Sequence, residues 1–449
     1  MTNLAYFEKF ELHVDPMGIK GLTKALKTVA PASIEQMSYE ELASRSKLKV
    51  YGVDVNSYLY PAQYGVSSKG KGNHIRVFMD MVCQWYSVGL NLVFVFDGRM
   101  GVEKEQTLEE RMKKRMETNL EMISQINAMA GASHSSVQIV DVPPEDAIMI
   151  PIDVKTIKEM GQGLINKGTG TKEQREQLQK VLNRNIIVTS QDKDDLIQLF
   201  NGLGAPYLQA DYEADFLLAS LYEDGLIDGV ISEDCDMLTH GVGHLVRGLI
   251  DRDCRRLGQI RLYTLSTILE QGNLTMPQFI DFCILCGCDY GPKLAGVAAG
   301  KGLTFVRKYG DMVGIIDAMR SGKIKYKPDG LTIDEFDTKF HRSYRIFHEK
   351  QEEAQEFPSG YMVQPELKDW LLQATNYTPE TLSKKFRLLS SDPPKIEPIP
   401  VPVPVSVPKV KAKAKPRLSI ASKAAQKDPS EAESKVPVKV KVKIVKKST

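Results

Sequence analysis

The chain lacks any apolar run long enough to cross a membrane: no stretch of about 18 consecutive apolar residues occurs among its 449 residues. Its start shows neither the basic segment nor the apolar core of a signal peptide, so we expect none. The six cysteines lack the paired spacing of a secreted disulfide framework, which favours a reduced intracellular compartment. Membrane proteins and small disulfide-bonded domains are thereby disfavoured.

Three of the cysteines are close together, at Cys283, Cys286 and Cys288, and this spacing raises the alternative of a zinc site. No second Cys or His pair follows at a useful distance, and Cys283 and Cys286 lie in an apolar helical run. We therefore expect buried thiols rather than zinc ligands.

Charge is distributed unevenly along the chain although the formal net charge is only +2. Residues 409–449 contain 13 basic and 3 acidic residues, so the remainder is acidic. The whole chain of 449 residues is 42% hydrophobic, which is enough for two packed units and appendages. An acidic body with a basic tail is typical of a metal-dependent enzyme held near a polyanion.

Three short apolar runs each end in acidic residues. Residues 49–53 precede Asp54, residues 92–96 precede Asp97, and residues 229–232 precede the acidic segment 233–236. Such runs are typical of buried strands in a parallel sheet, where ligands bind beyond the carboxyl ends of the strands. Carboxylates gathered there repel one another unless cations lie between them, so the pattern predicts a site for hard divalent metal ions.

Further acids fit the same site but have simpler explanations. Glu213 and Asp215 fall in the first turn of a predicted helix, where acidic residues commonly favour the helix dipole. Asp289 fits the turn that ends the next apolar helix. Seven acids at strand ends and helix starts favour a shared functional role.

The order of these motifs resembles that of the flap endonuclease/XPG family of structure-specific 5′-nucleases, from residue 17 to about residue 389. The segments that carry the resemblance are Met17-Gly18-Ile19-Lys20-Gly21-Leu22, Val53-Asp54, Val95-Phe96-Asp97-Gly98, Tyr212-Glu213-Ala214-Asp215, Glu233-Asp234-Cys235-Asp236 and Gly287-Cys288-Asp289-Tyr290. The resemblance implies an α/β fold: a PIN-like parallel sheet flanked by helices, with a helical arch and a helix-two-turn-helix DNA-binding unit.

The resemblance also implies roles for individual residues. The metal ligands for two Mg²⁺ ions, for which Mn²⁺ is expected to substitute, would be Asp54, Asp97, Glu213, Asp215, Asp234, Asp236 and Asp289. The basic arch residues aimed at the scissile phosphate would be Lys104 and Arg111, although a solvated helix face is an alternative. The expected DNA contacts are Gly18, Tyr60, Lys114, Arg115, Gly296, Gly300 and Lys301; Tyr60 fits a core position nearly as well.

The chain is expected to divide at composition changes and motif boundaries. The expected segments are an N-terminal extension at 1–16, an N-terminal nuclease region at 17–118, an enlarged arch or insertion at 119–185, an internal nuclease region at 186–275, a helix-two-turn-helix and helical part at 276–390, and a disordered basic tail at 391–449. The spacing from Asp97 to Glu213 is several dozen residues longer than the family usually shows, with the surplus mostly within 119–175. The surplus would enlarge the arch or cap region that selects which strands thread toward the metals.

Our leading hypothesis is a Mg²⁺-dependent nuclease that cuts 5′-flap or other branched DNA during replication or repair. A 5′→3′ exonuclease of the same fold is the alternative, because segments 212–215 and 286–290 look closer to the exonuclease branch. A non-catalytic DNA-binding scaffold is disfavoured since all seven acids are present, and an aspartate-nucleophile phosphatase because Asn56 replaces its second Asp. We expect a monomer in the nucleus or another intracellular site of DNA replication, with branched or 5′-ended DNA as partner, no membrane, and no sliding-clamp motif.

Overall fold

The computed structural model describes residues 19, 21–63, 70–99, 105–130, 137–141, 154–184, 188–292, 294–326, 328, 330–358, 361–391 and 440–444. The expected extension at 1–16 therefore lies outside the described residues. No helix in the described ranges is long and apolar enough to span a bilayer. Two compact units are present: Met1–Asn119 with Lys180–Ile399, and Leu120–Gln179 with Pro400–Thr449.

Strands and helices alternate along most of the chain. The strands are β1 (Ile34–Ser38), β2 (Val50–Asp54), β3 (Asn91–Phe96), β4 (Val137–Asp141), β5 (Tyr207–Gln209), β6 (Gly229–Ile231), β7 (His244–Arg247), β8 (Gln259–Thr264) and β9 (Val440–Ile444). The helices of the first half are α1 (Leu22–Val29), α2 (Tyr39–Arg45), α3 (Asn56–Gln63), α4 (Asn73–Tyr86), α5 (Glu105–Ala130), α6 (Val154–Asn166), α7 (Lys172–Arg184) and α8 (Ser190–Leu203). Those of the second half are α9 (Ala214–Glu223), α10 (Asp236–Thr239), α11 (Arg252–Leu257), α12 (Leu265–Gly272), α13 (Met276–Cys286), α14 (Ala299–Tyr309), α15 (Met312–Arg320), α16 (Ile333–His348), α17 (Leu367–Ala374) and α18 (Pro379–Leu389).

The main sheet of the first unit has seven strands in the order β1-β8-β7-β6-β2-β3-β5. The five strands from β7 to β5 are parallel, so their carboxyl ends meet at one edge. This parallel part and the flanking helices agree with the expected PIN-like α/β fold. Strand β8 runs antiparallel to both β7 and β1, so the whole sheet is mixed. The connection from β7 to β8 holds only the short helix α11, and parallel strands need a longer crossover.

Both faces of this sheet are covered by apolar side chains. Successive residues of a strand point to opposite faces. In β3, Leu92, Phe94 and Phe96 belong to one buried cluster. Val93 and Val95 belong to the other. This two-sided burial explains why the strands are continuous apolar runs, and why the first polar residue after each strand lies at the sheet edge.

The helices after the sheet include the pair expected for the DNA-binding unit. Helix α13 begins with a capping box between Thr275 and Gln278 and ends at Gly287, whose φ of 97° favours glycine. The sequence predicts a glycine-rich turn over residues 296–302 and a helix that begins at Leu303. Helix α14 instead begins at Ala299, with Gly300 and Gly302 in its first turns. The expectation for the end of α13 is confirmed and that for the start of α14 is wrong.

The second unit contains a short antiparallel pair in which β4 contacts β9 over five residues. The alternation of valine and lysine at 440–444 suits a strand, and β4 supplies the partner that the sequence did not reveal. The expected disordered tail therefore differs from the structure over these five residues. Its remaining residues from 392 onward lie outside the described part of the chain.

All six cysteines are buried and free of disulfides, as expected. Burial raises the pKa of Cys83, Cys286 and Cys288 to about 12 each, so these thiols stay protonated. Among the described residues, no group of three His, Cys, Asp or Glu side chains is placed so that it could hold a metal ion.

Candidate active site at the carboxyl edge of the sheet

Asp54 is the last residue of β2 and is buried. Its carboxylate accepts hydrogen bonds from the Ser57 hydroxyl at 2.6 Å and the Ser232 hydroxyl at 2.9 Å. The Asn56 amide also donates to it, at 3.1 Å. Burial, and next the charge of Asp97, raise the pKa of Asp54 to about 6; the charge of Asp234 adds to this effect. A carboxyl that is both buried and close to other acids is typical of a functional site.

Asp97 follows β3 and is held against the segment before α9. Its Oδ1 accepts a hydrogen bond from the Ala214 amide at 2.8 Å, and its Oδ2 accepts one from the Asn56 side chain. The next residue, Gly98, donates its amide to the Tyr212 carbonyl at 2.6 Å. A Cβ at Gly98 would lie 1.9 Å from the Ala210 carbonyl oxygen, so this close approach requires glycine.

The acidic segment after β6 folds into a turn that orders its own carboxylates. The Asp236 amide donates to Asp234 Oδ1 at 2.8 Å, and the Asp234 amide donates to the Ser232 hydroxyl at 3.0 Å. Buried Asp236 also accepts the Ile19 amide at 2.9 Å, which brings the start of the described chain to this edge. Ser232 thus joins the β6 acids to Asp54.

Glu213, Asp215 and Asp289 meet around Tyr290. The Tyr290 hydroxyl donates to Glu213 Oε2 at 2.6 Å. Burial, and after it the charges of Glu213 and Asp215, raise the pKa of Tyr290, so its hydroxyl remains a proton donor. Asp289 lies between the end of α13 and Tyr290 and is half-buried. The structure therefore brings these acids to the same edge from a helix start and a helix end.

The donor set fits a hard divalent cation, although the acids do not converge into a finished metal centre in the described chain. The predicted ligands are all carboxylates, the oxygen donors that Mg²⁺ prefers. Donors of the chain occupy oxygens of Asp54 and Asp97, including the Asn56 side chain on Asp97. Burial, and after it the charge of Asp97, raise the pKa of Asp54, and a bound cation would offset both effects. Metal binding at this edge would therefore exchange some of these hydrogen bonds for metal ligation.

The basic residues expected to act on phosphate fall largely outside the described residues. Gly18 and Lys104 are not among them. Arg111, Lys114 and Arg115 lie on α5, whose backbone is helical there, but their side chains are outside the described part of the chain. The expected helix around these positions is present, and the roles of the side chains remain predictions.

The expected duplex contacts cluster at the start of α14. Gly296, with φ of 76°, and Gly300 are exposed. The Lys301 ammonium donates to the Gly296 carbonyl at 3.1 Å and lies 4.5 Å from the ring centroid of Tyr326. Tyr60 on α3 is 42% exposed, which agrees with a surface role and not with the core position.

Arg247 is a residue of this edge that no sequence motif singles out. Its guanidinium lies 3.8 Å from Glu233 and donates to the Thr23 hydroxyl at 3.0 Å and to the Cys235 sulfur. It also lies 5.4 Å from the Tyr263 ring centroid. Arg247 thus ties α1, β8 and the acidic segment together. Only the position of an arginine at a strand end could have pointed to it.

Comparisons with known proteins agree with this architecture. Two family models match: the XPG N-terminal domain over residues 17–118 and the XPG I-region over residues 204–289. The chain is similar to flap endonuclease 1-A of Sorghum bicolor, with 26% identity covering 70% of this chain and 72% of the relative. It is 27% identical to flap endonuclease 1 of Glycine max, covering 75% of this chain and 77% of that relative.

Solved structures show the same fold. The catalytic core of Rad2 in complex with DNA substrate matches with a TM-score of 0.54 and 17% identity, covering 81% of this chain and 99% of that one. Flap endonuclease-1 from Methanococcus jannaschii matches with a TM-score of 0.50 and 15% identity, covering 79% and 95%. The two matched domain models contain six of the seven carboxylates outright and reach the seventh, Asp289, at their last residue. The chain therefore carries regions similar to the XPG N-terminal domain and the XPG I-region, and it is similar to flap endonucleases.

Proposed function

We propose that this protein is a divalent-metal-dependent nuclease that hydrolyses phosphodiester bonds in branched DNA carrying a 5′ flap. The observation that carries the proposal is the gathering of acids from separate elements at one sheet edge. Asn56 links Asp54 to Asp97, and Ser232 links Asp54 to the segment of Asp234. The flap endonuclease relatives support the choice of substrate.

The metal would be held by the seven carboxylates, with Mg²⁺ as the favoured ion and Mn²⁺ as its substitute. When bound, two such ions supply an activated water and stabilise the leaving oxygen. Ser57 and Ser232 fix the orientation of Asp54, and the Ala214 amide fixes that of Asp97. Lys104 and Arg111 would offset the negative charge that develops on the phosphate.

Phosphate and base contacts outside the carboxylate cluster would bind the DNA. The start of α14 has two small residues, Gly296 and Gly300, and one cation, Lys301. This combination suits the approach of a phosphate backbone. Gly18, Lys114 and Arg115 would add contacts nearer the cleaved bond, and Tyr60 would stack on a base. The seven intact carboxylates favour a nuclease over a non-catalytic scaffold.

A 5′→3′ exonuclease remains the second candidate because Tyr212-Glu213-Ala214-Asp215 resembles the exonuclease branch. We propose an intracellular site of DNA replication or repair as the location, and a monomer as the acting form. The same acids would serve both reactions, so the substrate assay decides between them.

The test is cleavage-site mapping on a 5′-labelled flap and on a blunt duplex, with and without Mg²⁺. We expect Mg²⁺-dependent release of the flap as one oligonucleotide. Asp97→Ala and Asp234→Ala should abolish cleavage while DNA binding stays measurable, since phosphate contacts elsewhere carry most of the affinity. Asp253→Asn, which changes a largely exposed acid on α11, is the matched control.

Two outcomes would contradict the proposal. Release of mononucleotides from duplex ends as the dominant product would support the exonuclease instead. Near-normal turnover by Asp97→Ala or Asp234→Ala would remove the metal-site assignment.

A further inference from the structure

Tyr212 is a large aromatic side chain left in solvent at the acidic edge. It is 48% exposed although Glu213 and Ala214, the next two residues, are buried. Among the described residues, the large hydrophobic side chains that are exposed include two aromatics, Tyr212 and Tyr60. In the proposed function Tyr212 has no role beyond its place in a motif.

The backbone of Tyr212 is fixed beside a predicted metal ligand. Its carbonyl accepts the Gly98 amide at 2.6 Å, and two residues later the Ala214 amide donates to Asp97 Oδ1 at 2.8 Å. The Arg99 amide donates to the Asp211 carbonyl at 3.0 Å. Residues 97–99 and 211–214 are thus joined on both sides of Tyr212, so the base of this side chain is held in place.

A rigid backbone under an exposed ring is the arrangement that a stacking platform needs. Within the described part of the structure, the ring and hydroxyl of Tyr212 form no hydrogen bond and no stacking or cation–π contact, and about half of the residue stays in solvent. Covering an exposed aromatic face with a flat apolar partner removes it from water and lowers the free energy of the complex. Nucleobases are such partners, and stacking tolerates every base, as a structure-specific nuclease requires.

We infer that Tyr212 stacks on a nucleobase next to the scissile phosphate and thereby positions that phosphate at the acids. The inference deepens the proposed function and rests on it. Tyr212 is then a binding and positioning residue at the same sheet edge as Tyr60: Tyr60 follows β2, whereas Tyr212 follows β5, on the far side of β3. The two rings would hold different nucleotides of one substrate.

The test is a double-mutant cycle in which the ring of Tyr212 and the nucleobase are removed separately and together. Single-turnover cleavage is measured for the wild type, Tyr212→Phe and Tyr212→Ala on flaps in which one nucleotide at a time, within three of the scissile phosphate, is abasic. Tyr212→Ala should lose roughly tenfold in rate or affinity on intact DNA, the scale of one lost stacking contact. Tyr212→Phe should stay near the wild type because the ring remains.

At one abasic position, the cleavage rate of the wild type should fall to the rate of Tyr212→Ala on intact DNA. At that position the rate of Tyr212→Ala should change little, because the variant has already lost the stacking contact. Binding with Ca²⁺ in place of Mg²⁺ separates affinity from rate. Met362→Ala is the control, since Met362 is 73% exposed and lies on another segment.

Three outcomes would overturn the inference. The first is an equal loss for Tyr212→Ala on every abasic substrate together with a raised Mg²⁺ requirement, which indicates a disturbed acidic segment. The second is Tyr212→Phe behaving like Tyr212→Ala, which assigns the effect to the hydroxyl. The third is no effect of Tyr212→Ala on flap cleavage. Failure of the wild type to cut any flap would instead contradict the proposed function.

Discussion

Arg247 is a largely buried cation that contacts the acidic segment 233–236. Its side chain is 17% exposed and that of its partner Glu233 is 11% exposed. The Gly248 amide also donates to Glu233, at 3.0 Å, so the carboxylate is held from two sides. Breaking such a pair from one side leaves a buried charge without its partner.

We expect Arg247→Met to lower the free energy of unfolding by about 3 kcal/mol or more, measured by urea denaturation. It should also raise the Mg²⁺ concentration needed for cleavage, because the segment of Asp234 and Asp236 loses its anchor. Arg256→Met is the control: Arg256 is 72% exposed and pairs with Asp253 at the surface, so about 0–1 kcal/mol should be lost. Equal losses in the two variants would show that Arg247 has no special role.

Asp281 is a buried acid on α13, the helix that precedes the predicted metal ligand Asp289. It is 4% exposed on α13 and accepts the Met312 amide at 3.0 Å. Burial raises the pKa of Asp281 from 3.8 to about 7. The folded state therefore favours the protonated carboxyl. Its contribution to stability is fully present below the unfolded pKa and is lost as pH rises through about 7.

Asp281→Asn removes this ionisation but keeps an oxygen for the Met312 amide. We expect its stability relative to the wild type to grow between pH 5 and pH 8 by roughly 3 kcal/mol, because the wild type loses about 1.4 kcal/mol per pH unit up to the folded pKa of about 7. Urea denaturation at the two pH values measures the change. Asp317→Asn, at a side chain 71% exposed, should show no such trend. A constant difference between Asp281→Asn and the wild type would refute the raised pKa.

The acids of the site could be predicted from the sequence, whereas their partners could not. An acid that directly follows an apolar run is visible in the sequence, as with Asp54 and Asp97. The donors that orient them come from distant positions: Ser232 bonds Asp54 across 178 residues, and Ala214 bonds Asp97 across 117. Only the fold brings such pairs together, so the sequence predicts the type of site but not its hydrogen bonding.

At the level of elements, the strands of the parallel part were predictable because each is a short apolar run with a polar end. The antiparallel direction of β8 could not be predicted, because a half-buried strand pattern is compatible with either strand direction. Helix α14 was predicted four residues too short because its first turns contain Gly300 and Gly302. Packing overrides the weak helix propensity of glycine, which costs about 1 kcal/mol per residue.

Helix α16 supports the acidic edge through Tyr290. The Ser343 hydroxyl of this helix donates to the Tyr290 carbonyl at 2.7 Å, and the Tyr290 hydroxyl donates to Glu213. The helix begins with a capping box in which the Glu335 amide donates to the Thr332 hydroxyl at 3.2 Å and Glu335 Oε2 accepts the Thr332 amide at 2.8 Å. The capping box therefore satisfies two backbone amides at the start of α16, those of Thr332 and Glu335.

We expect Thr332→Ala to lower the free energy of unfolding by about 1 kcal/mol, the usual value of a lost N-cap, as measured by urea denaturation. Thr338→Ala removes the same side chain from the exposed middle of α16, where its hydroxyl bonds the Asp334 carbonyl. That control should be neutral or slightly stabilising because alanine has the higher helix propensity. The same loss in both variants would show that the capping box does not stabilise the helix.

At the scale of the whole molecule, the predicted metal ligands and the added segment at 119–175 belong largely to different units of the chain. The first unit holds all seven carboxylates, and the second holds the basic tail with β4 and β9. The sequence predicted an added segment between Asp97 and Glu213 from its length alone. It could not predict that Val440–Ile444 pairs with Val137–Asp141, because two short strands far apart in sequence carry no mutual signal.

The basic tail should act on DNA affinity and not on cleavage. Each lysine or arginine that neutralises a phosphate releases counterions, so affinity falls with salt by a slope of about 0.9 per neutralised phosphate. We expect deletion of residues 409–449 to weaken DNA binding and flatten its salt dependence while Mg²⁺-dependent cleavage at low salt persists. Fluorescence anisotropy over a salt series measures the slope, and single-turnover cleavage measures the chemistry.

Deletion also removes β9, so a second variant separates charge from structure. Changing the lysines and the arginine between residues 409 and 427 to glutamine keeps residues 440–444 and their pairing with β4. If charge is what matters, this variant should flatten the salt slope as the deletion does, in proportion to the number of phosphates that are no longer neutralised. A slope equal to that of the wild type in both variants would show that the tail does not bind DNA. A flattened slope in the deletion alone would assign the effect to residues 428–449, including the strand β9.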